Sequence, residues 1–154
     1  MFQILQNGDK NLKKKAKRVD RIDDTLRNIA ASMVKTMLAN NGIGISGNQV
    51  GVLKRIIVVT VNNEPKVMVN PEIVFQSEDV IKDNEGCLSF PNQFYDIPRP
   101  QKITIKYRNL SGYPMLETHE GLTARCILHE IDHLDGIVFT EKINAQSNEY
   151  SKMG

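Results

Sequence analysis

Apolar residues recur along this chain at two different periods, and the switches between them divide it into elements. From Asp24 to about Asn40, the residues Leu26, Ile29, Ala30, Met33, Val34, Met37 and Leu38 fall at i, i+3, i+4, i+7, i+8, i+11 and i+12. That is one broad stripe at helical period, the pattern of core packing. Asp23 or Asp24 can cap its start, and Asn40-Asn41-Gly42 supplies its stop. A second helix is predicted from Leu122 to Leu134, with Leu122, Cys126, Ile127 and Ile131 apolar and Gly136 ending it. Elsewhere the signals are those of strands. Arg55 to Val61 is β-branched, Asn62-Asn63 is a turn, and Lys66 to Asn70 with Ile73 to Phe75 make strand pieces around Pro71. A charged loop leads into Glu85-Gly86-Cys87-Leu88-Ser89, after which Pro91, Pro98 and Pro100 keep the chain extended. Ile103 to Tyr107 alternates apolar and polar, and Ser111-Gly112 turns it into Tyr113 to Glu117. Ile137 to Ile143 adds one last strand before a frayed, polar end. Extended segments alternating around two amphipathic helices predict an α+β fold with mostly antiparallel strands.

Composition narrows the class. At 154 residues, 40% apolar and 25% charged, the chain reads as one globular domain over residues 1–154. No repeat or linker divides it. A net charge of +2 is too small to make nucleic acid or an anionic membrane the main partner. The cluster Lys13, Lys14, Lys15, Lys17 and Arg18 reads as a solvated basic face before it reads as a ribosome or nucleic-acid patch. The apolar run Ile56-Ile57-Val58-Val59 is far short of a membrane span, and the N-terminus has no signal-peptide core. With only Cys87 and Cys126, a reducing compartment is expected. There a cysteine is a metal ligand or a core residue, and a Cys87–Cys126 bridge is the alternative.

The candidate chemistry centres on His129-Glu130-Ile131-Asp132-His133. On a helix, histidines four residues apart share one face and can reach one divalent metal, while the adjacent glutamate handles a proton. HExxH fixes only three residues, so it needs a third ligand and a substrate site. Cys126 shares the face but lies seven residues from His133, roughly 10.5 Å along the axis at about 1.5 Å per residue. A straight helix does not converge all three, so Cys126 reads as packing. His119 reads as an exposed turn residue ahead of the helix. Cys87 lies in a glycine-containing loop from which a thiolate can project. One thiolate and two imidazoles leave net +1 on a divalent ion and one position open. A distant acidic ligand fits the spacing as well. Gly42, Gly44, Gly47 and Gly51 crowd one ten-residue stretch that matches no nucleotide-binding loop. It is either a glycine-lined peptide or small-molecule cleft or a plain helix-to-strand connection.

Taken together, Gly42-Ile43-Gly44-Ile45-Ser46-Gly47-Asn48-Gln49, then Glu85-Gly86-Cys87-Leu88-Ser89, then His129-Glu130-Ile131-Asp132-His133-Leu134-Asp135-Gly136 resemble the three motifs of peptide deformylases, in that family's order. The first motif departs, with Ser46-Gly47 where the family usually has two alanines. The resemblance implies antiparallel sheets around a central metal-binding helix. It implies Cys87, His129 and His133 as ligands of one divalent ion, Fe2+ in the cell, replaceable by Zn2+ or Ni2+. Glu130 would be the acid–base, with Gln49 and the Leu88 backbone N–H as oxyanion donors. Ile43, Gly44, Glu85, Gly86, Leu122 and Cys126 would bind substrate, and Glu85 would pair with Arg99. The implied reaction removes formyl from the N-terminal formylmethionine of nascent chains and releases formate. Asp83 and Arg125 are polar where the side-chain pocket is expected to be apolar, which bears on substrate preference. The short tail after Gly136 implies a compact form with weakened ribosome contact, working as a monomer in the cytoplasm of a bacterial-type cell. Two rivals stay open: an HExxH peptidase with a different third ligand, and a non-catalytic metal or peptide-binding protein with a closed fourth ligand.

Overall fold

The computed structural model describes residues 1–139 and Glu141. Helix α1, Asp24–Ala39, starts where Asp23 accepts a 2.9 Å hydrogen bond from the Leu26 N–H, the N-cap the sequence predicts. Five strands form one sheet: β1 (Gly44–Ser46), β2 (Ile56–Val61), β3 (Glu64–Gln76), β6 (Lys102–Arg108) and β7 (Pro114–Glu120). Their spatial order is β1-β2-β3-β6-β7, every pair antiparallel. Strands β4 (Val80–Cys87) and β5 (Phe90–Pro100) make a separate antiparallel hairpin. Helix α2, Gly121–Leu134, packs against the sheet and is tied to the hairpin by side-chain hydrogen bonds from Arg125 and His129 to Glu85 and from Arg99 to Asp132.

Period two explains why β2 is a continuous apolar run. Ile57 and Val59 face α2 along with Met68, Ile103 and Ile105, whereas Ile56 and Val58 face α1 with Leu26, Met33 and Met37. Both faces are covered, so both sets must be apolar. A third cluster, Leu12, Phe90, Ile97, Val138 and Phe139, holds the hairpin. Residues 124–131 of α2 are all buried, polar ones included. This matches the α+β, central-helix expectation.

Several boundaries differ. The two pieces around Pro71 are one strand with a bulge between Val69 and Glu72, where Asn70 takes a φ of 52°. Its side chain bonds the Val19 backbone on both sides, anchoring the bend. The charged loop before Glu85 is β4: its exposed side chains lack an apolar period, and pairing with β5 makes it a strand. Cys87 accordingly ends a strand and does not sit in a loop. Strand β7 runs on through His119, which is half-buried and bonded to Glu117 and not an exposed turn residue. Ile137 and Val138 are irregular and Phe139 is helical, so no strand begins there. Residue 140 and residues 142–154, with the rest of that strand and the polar end, lie outside the described residues.

Candidate metal centre and adjoining cleft

Three donor atoms converge where α2 meets the end of β4. The Cys87 Sγ lies 3.3 Å from His133 Nε2, and His133 Nε2 lies 3.2 Å from His129 Nε2. All three ligand atoms fall within 4.8 Å of one another. Metal bonds of roughly 2.0–2.3 Å place tetrahedral donors about 3.3–3.8 Å apart, so the set fits a single ion. The tautomer agrees. His129 Nδ1 donates to Glu85 Oε1 at 2.9 Å, leaving Nε2 as the free donor to an ion. Burial resists a charge on His129, but Cys87, Glu85 and Glu130 overcome it and raise its pKa. Beside the sulfur and this nitrogen, His133 is pushed the other way, well below 6.5, by burial and by the His129 and Arg99 charges.

Glu85 is the hub that holds this geometry. Its carboxylate accepts from Arg99 through Nε and Nη2, both at 2.9 Å, and from Arg125 Nη1 at 2.6 Å, besides His129. Burial would raise its pKa, yet Arg99 and His129 hold it down to about 2. Arg99 also donates to Asp132, one turn along α2 from His129. Arg125 completes its fan on the Ile81 and Ile97 carbonyls, at 2.6 and 2.7 Å. Its polar head is therefore turned to the hairpin, although the residue lines the cleft. Sequence reasoning missed Arg125 and Asp132 as partners. A charged residue inside a helix buried all round was the available signal.

The cleft holds about 650 Å³ and is walled by Ile43, Gly44, Gly86, Leu122 and Cys126, with His129 and Glu130 at its inner end. Leu122 is 64% exposed and stands at the mouth. Cys126 belongs both to the core and to the cleft wall, and burial pushes its thiol up to about 12. Glu130 is buried with Oε1 unpartnered by protein. Burial, with Glu85 and Asp132 adding to it against the His129 and Arg99 charges, pushes Glu130 up to about 7. Its other oxygen lies against Gly44, where a Cβ would sit 2.6 Å from Oε2. Gln49, 1% exposed, directs Nε2 toward Ser89 Oγ at 3.2 Å and Cys87 Sγ at 3.5 Å. Leu88 lines the same cleft, and its side chain occupies the space a Cβ on Gly42 would need.

Comparison with known proteins settles the family. The polypeptide deformylase family model matches residues 1–149. The chain belongs to the peptide deformylase family. It is 43% identical over 144 residues to peptide deformylase 2 of Gloeobacter violaceus, covering 90% of this chain and 77% of that one. The crystal structure of the Thermotoga maritima peptide deformylase superposes with a TM-score of 0.90 at 38% identity, covering 92% of this chain and 97% of that one. The Synechococcus elongatus peptide deformylase in complex with actinonin superposes at 0.89 and 40% identity, covering 92% and 78%. The reaction is deformylation: hydrolysis of the formyl group from the N-terminal formylmethionine of polypeptides. The family is metal-dependent and acts on formylated peptides. Among the described residues no helix is long and apolar enough to cross a membrane.

Proposed function

We propose that Cys87, His129 and His133 hold the one divalent ion of this deformylase, and that Glu130 is its acid–base. The convergence of the three donor atoms, with His129 Nδ1 tied to Glu85, carries this reading. A thiolate with two imidazoles suits Fe2+ in the cell, and Zn2+ or Ni2+ in its place. A divalent ion held there supplies Lewis acidity that makes water a competent nucleophile near neutral pH. Glu130 takes the proton of the attacking water and returns it to the departing amine, the two transfers of a general acid–base. Negative charge developing on the formyl oxygen is met by the Gln49 amide and the Leu88 N–H.

The peptide lies along β1, which among the described residues has a strand neighbour on one side and so offers an edge. Its methionine side chain enters between Ile43, Leu122 and Cys126, facing Glu85 and Gly86. We place the enzyme as a monomer acting on nascent chains in the cytoplasm. The single catalytic domain is residues 1–154. Formate release from formyl-Met-Ala-Ser by anaerobically prepared protein tests the whole reading. Glu130→Gln should keep about one ion per chain and lose at least roughly 10²-fold in kcat; a fully active variant removes the base.

A further inference from the structure

We propose that the buried Ser46 hydroxyl is a positioning group for catalysis, a second donor that tightens on the Gln49 amide the orientation its own backbone N–H sets, with an N–H toward the reacting carbonyl. The proposal rests on the reading of Gln49 as an oxyanion donor. A glutamine amide has two ends of similar shape and opposite character. Only one serves an oxyanion. Here the choice is made on the far side of the side chain. The Ser46 backbone N–H donates to Gln49 Oε1 at 3.0 Å, and the Ser46 Oγ reaches the same oxygen at 3.3 Å. A backbone N–H can only donate, so the amide oxygen must face Ser46 and Nε2 must face Cys87 and Ser89.

The hydroxyl adds two things to that orientation. It is a second donor on one oxygen, which narrows the torsional freedom left to the amide. It also withdraws density from that oxygen, and hydrogen bonds in a chain polarise one another, so the opposite N–H becomes a better donor. The setting is rigid enough to use this. Ser46 is 0% exposed, and it opens the short 3₁₀ turn Gly47–Val50. A side chain on Gly47 would meet the backbone carbonyls of Val52 and Lys54, so the turn is packed from behind. The Gln49 carbonyl is itself tied by the Leu5 N–H at 2.7 Å.

Ser46→Ala keeps the backbone N–H and removes only the hydroxyl. With formyl-Met-Ala-Ser it should lower kcat about three- to tenfold, the loss of one neutral hydrogen bond, and leave KM within about twofold. On a Gln49→Leu background the same substitution should have no further effect. In the Zn2+-loaded protein, the 15N-resolved side-chain amide protons of Gln49 should shift and exchange faster in Ser46→Ala. Ser46→Cys, with a weaker donor, should fall between. If Ser46→Ala keeps wild-type kcat and unshifted Gln49 amide signals while Gln49→Leu is impaired, the positioning role is wrong and the Gln49 reading stands. An equal loss on both backgrounds also overturns it, because the effect then bypasses Gln49. A fully active Gln49→Leu removes the oxyanion reading itself, and this proposal with it.

Discussion

Gly44 tests how closely the base must be placed. Its φ is not among the positive values, so alanine suits its backbone and only contact decides the outcome. The added methyl carbon would lie 2.6 Å from Glu130 Oε2 and 3.2 Å from its Cδ and Cγ. Ordinary contact begins near 3.4 Å, so the carboxylate must retreat by roughly 0.8 Å, since α2 is packed on all sides and moves less readily than a side chain. A displacement of about 1 Å in a reacting group costs on the order of 10²-fold. Gly44→Ala should therefore lose about that much in kcat for formate release while still holding about one ion per chain. The crowding costs about 1–3 kcal/mol, offset in part by about 0.4–1 kcal/mol that alanine gains by reducing the freedom of the unfolded chain, so the variant should still fold. A variant with kcat within about threefold of wild type would refute the claim that Gly44 exists to seat Glu130. If KM rose and kcat held, the glycine would serve the approach of the peptide backbone instead.

Two further outcomes follow from the geometry. Metal analysis of purified variants should show the ion lost in Cys87→Ala and kept in His119→Ala, since His119 is engaged with Glu117 on the far strand; the reverse result would break the ligand assignment. Glu85→Gln leaves two buried guanidiniums under-neutralised and should cost about 3–5 kcal/mol at neutral pH. Holding Glu85 at about 2 against 4.5 is worth ~3 kcal/mol, present above pH ~4.5 and lost as pH falls toward 2. The stability gap between wild type and variant, from urea melts of metal-free protein, should narrow across that window; a gap unchanged between pH 7 and 3 would deny the carboxylate its role.

How much of this was legible depended on whether local signals and tertiary packing agreed. The α1 stripe and its Asp23 cap could be read closely because core face and capping point the same way. Helix α2 was legible from its apolar stripe and its Gly136 stop, although no side chain caps its start. Strand β4 was not: Lys82, Asp83 and Asn84 show no apolar period, and only the pairing with β5 extends them. His119 misled similarly, because an edge strand with one open face admits the polar run Glu117-Thr118-His119-Glu120. Cys87 could be nominated by chemistry but not placed by spacing. Its position comes from a hairpin in which it pairs with Phe90, whose ring packs on Phe139, which in turn meets His129 edge-on at 5.7 Å.

That chain of contacts explains why the site lies where it does. A helix buried from residue 124 to 131 cannot leave polar groups without partners at low cost. Arg125 and His129 meet Glu85, and Asp132 meets Arg99. Among the described residues of α2, the buried side-chain atoms lacking a protein partner are Glu130 Oε1 and His133 Nδ1. They belong to the residue we assign as the acid–base and to one we assign as a ligand. Of the two, only the Glu130 oxygen belongs to the reacting groups, since His133 turns its other nitrogen, Nε2, to Cys87 and His129. The ionic hub at Glu85 makes this possible: it neutralises two arginines, binds the hairpin carrying Cys87 to the helix, and fixes the histidine tautomer that presents Nε2. Disrupting it should disturb ion affinity and stability together, whereas substitutions at Gly44 and Ser46 should leave the ion in place and act chiefly on rate.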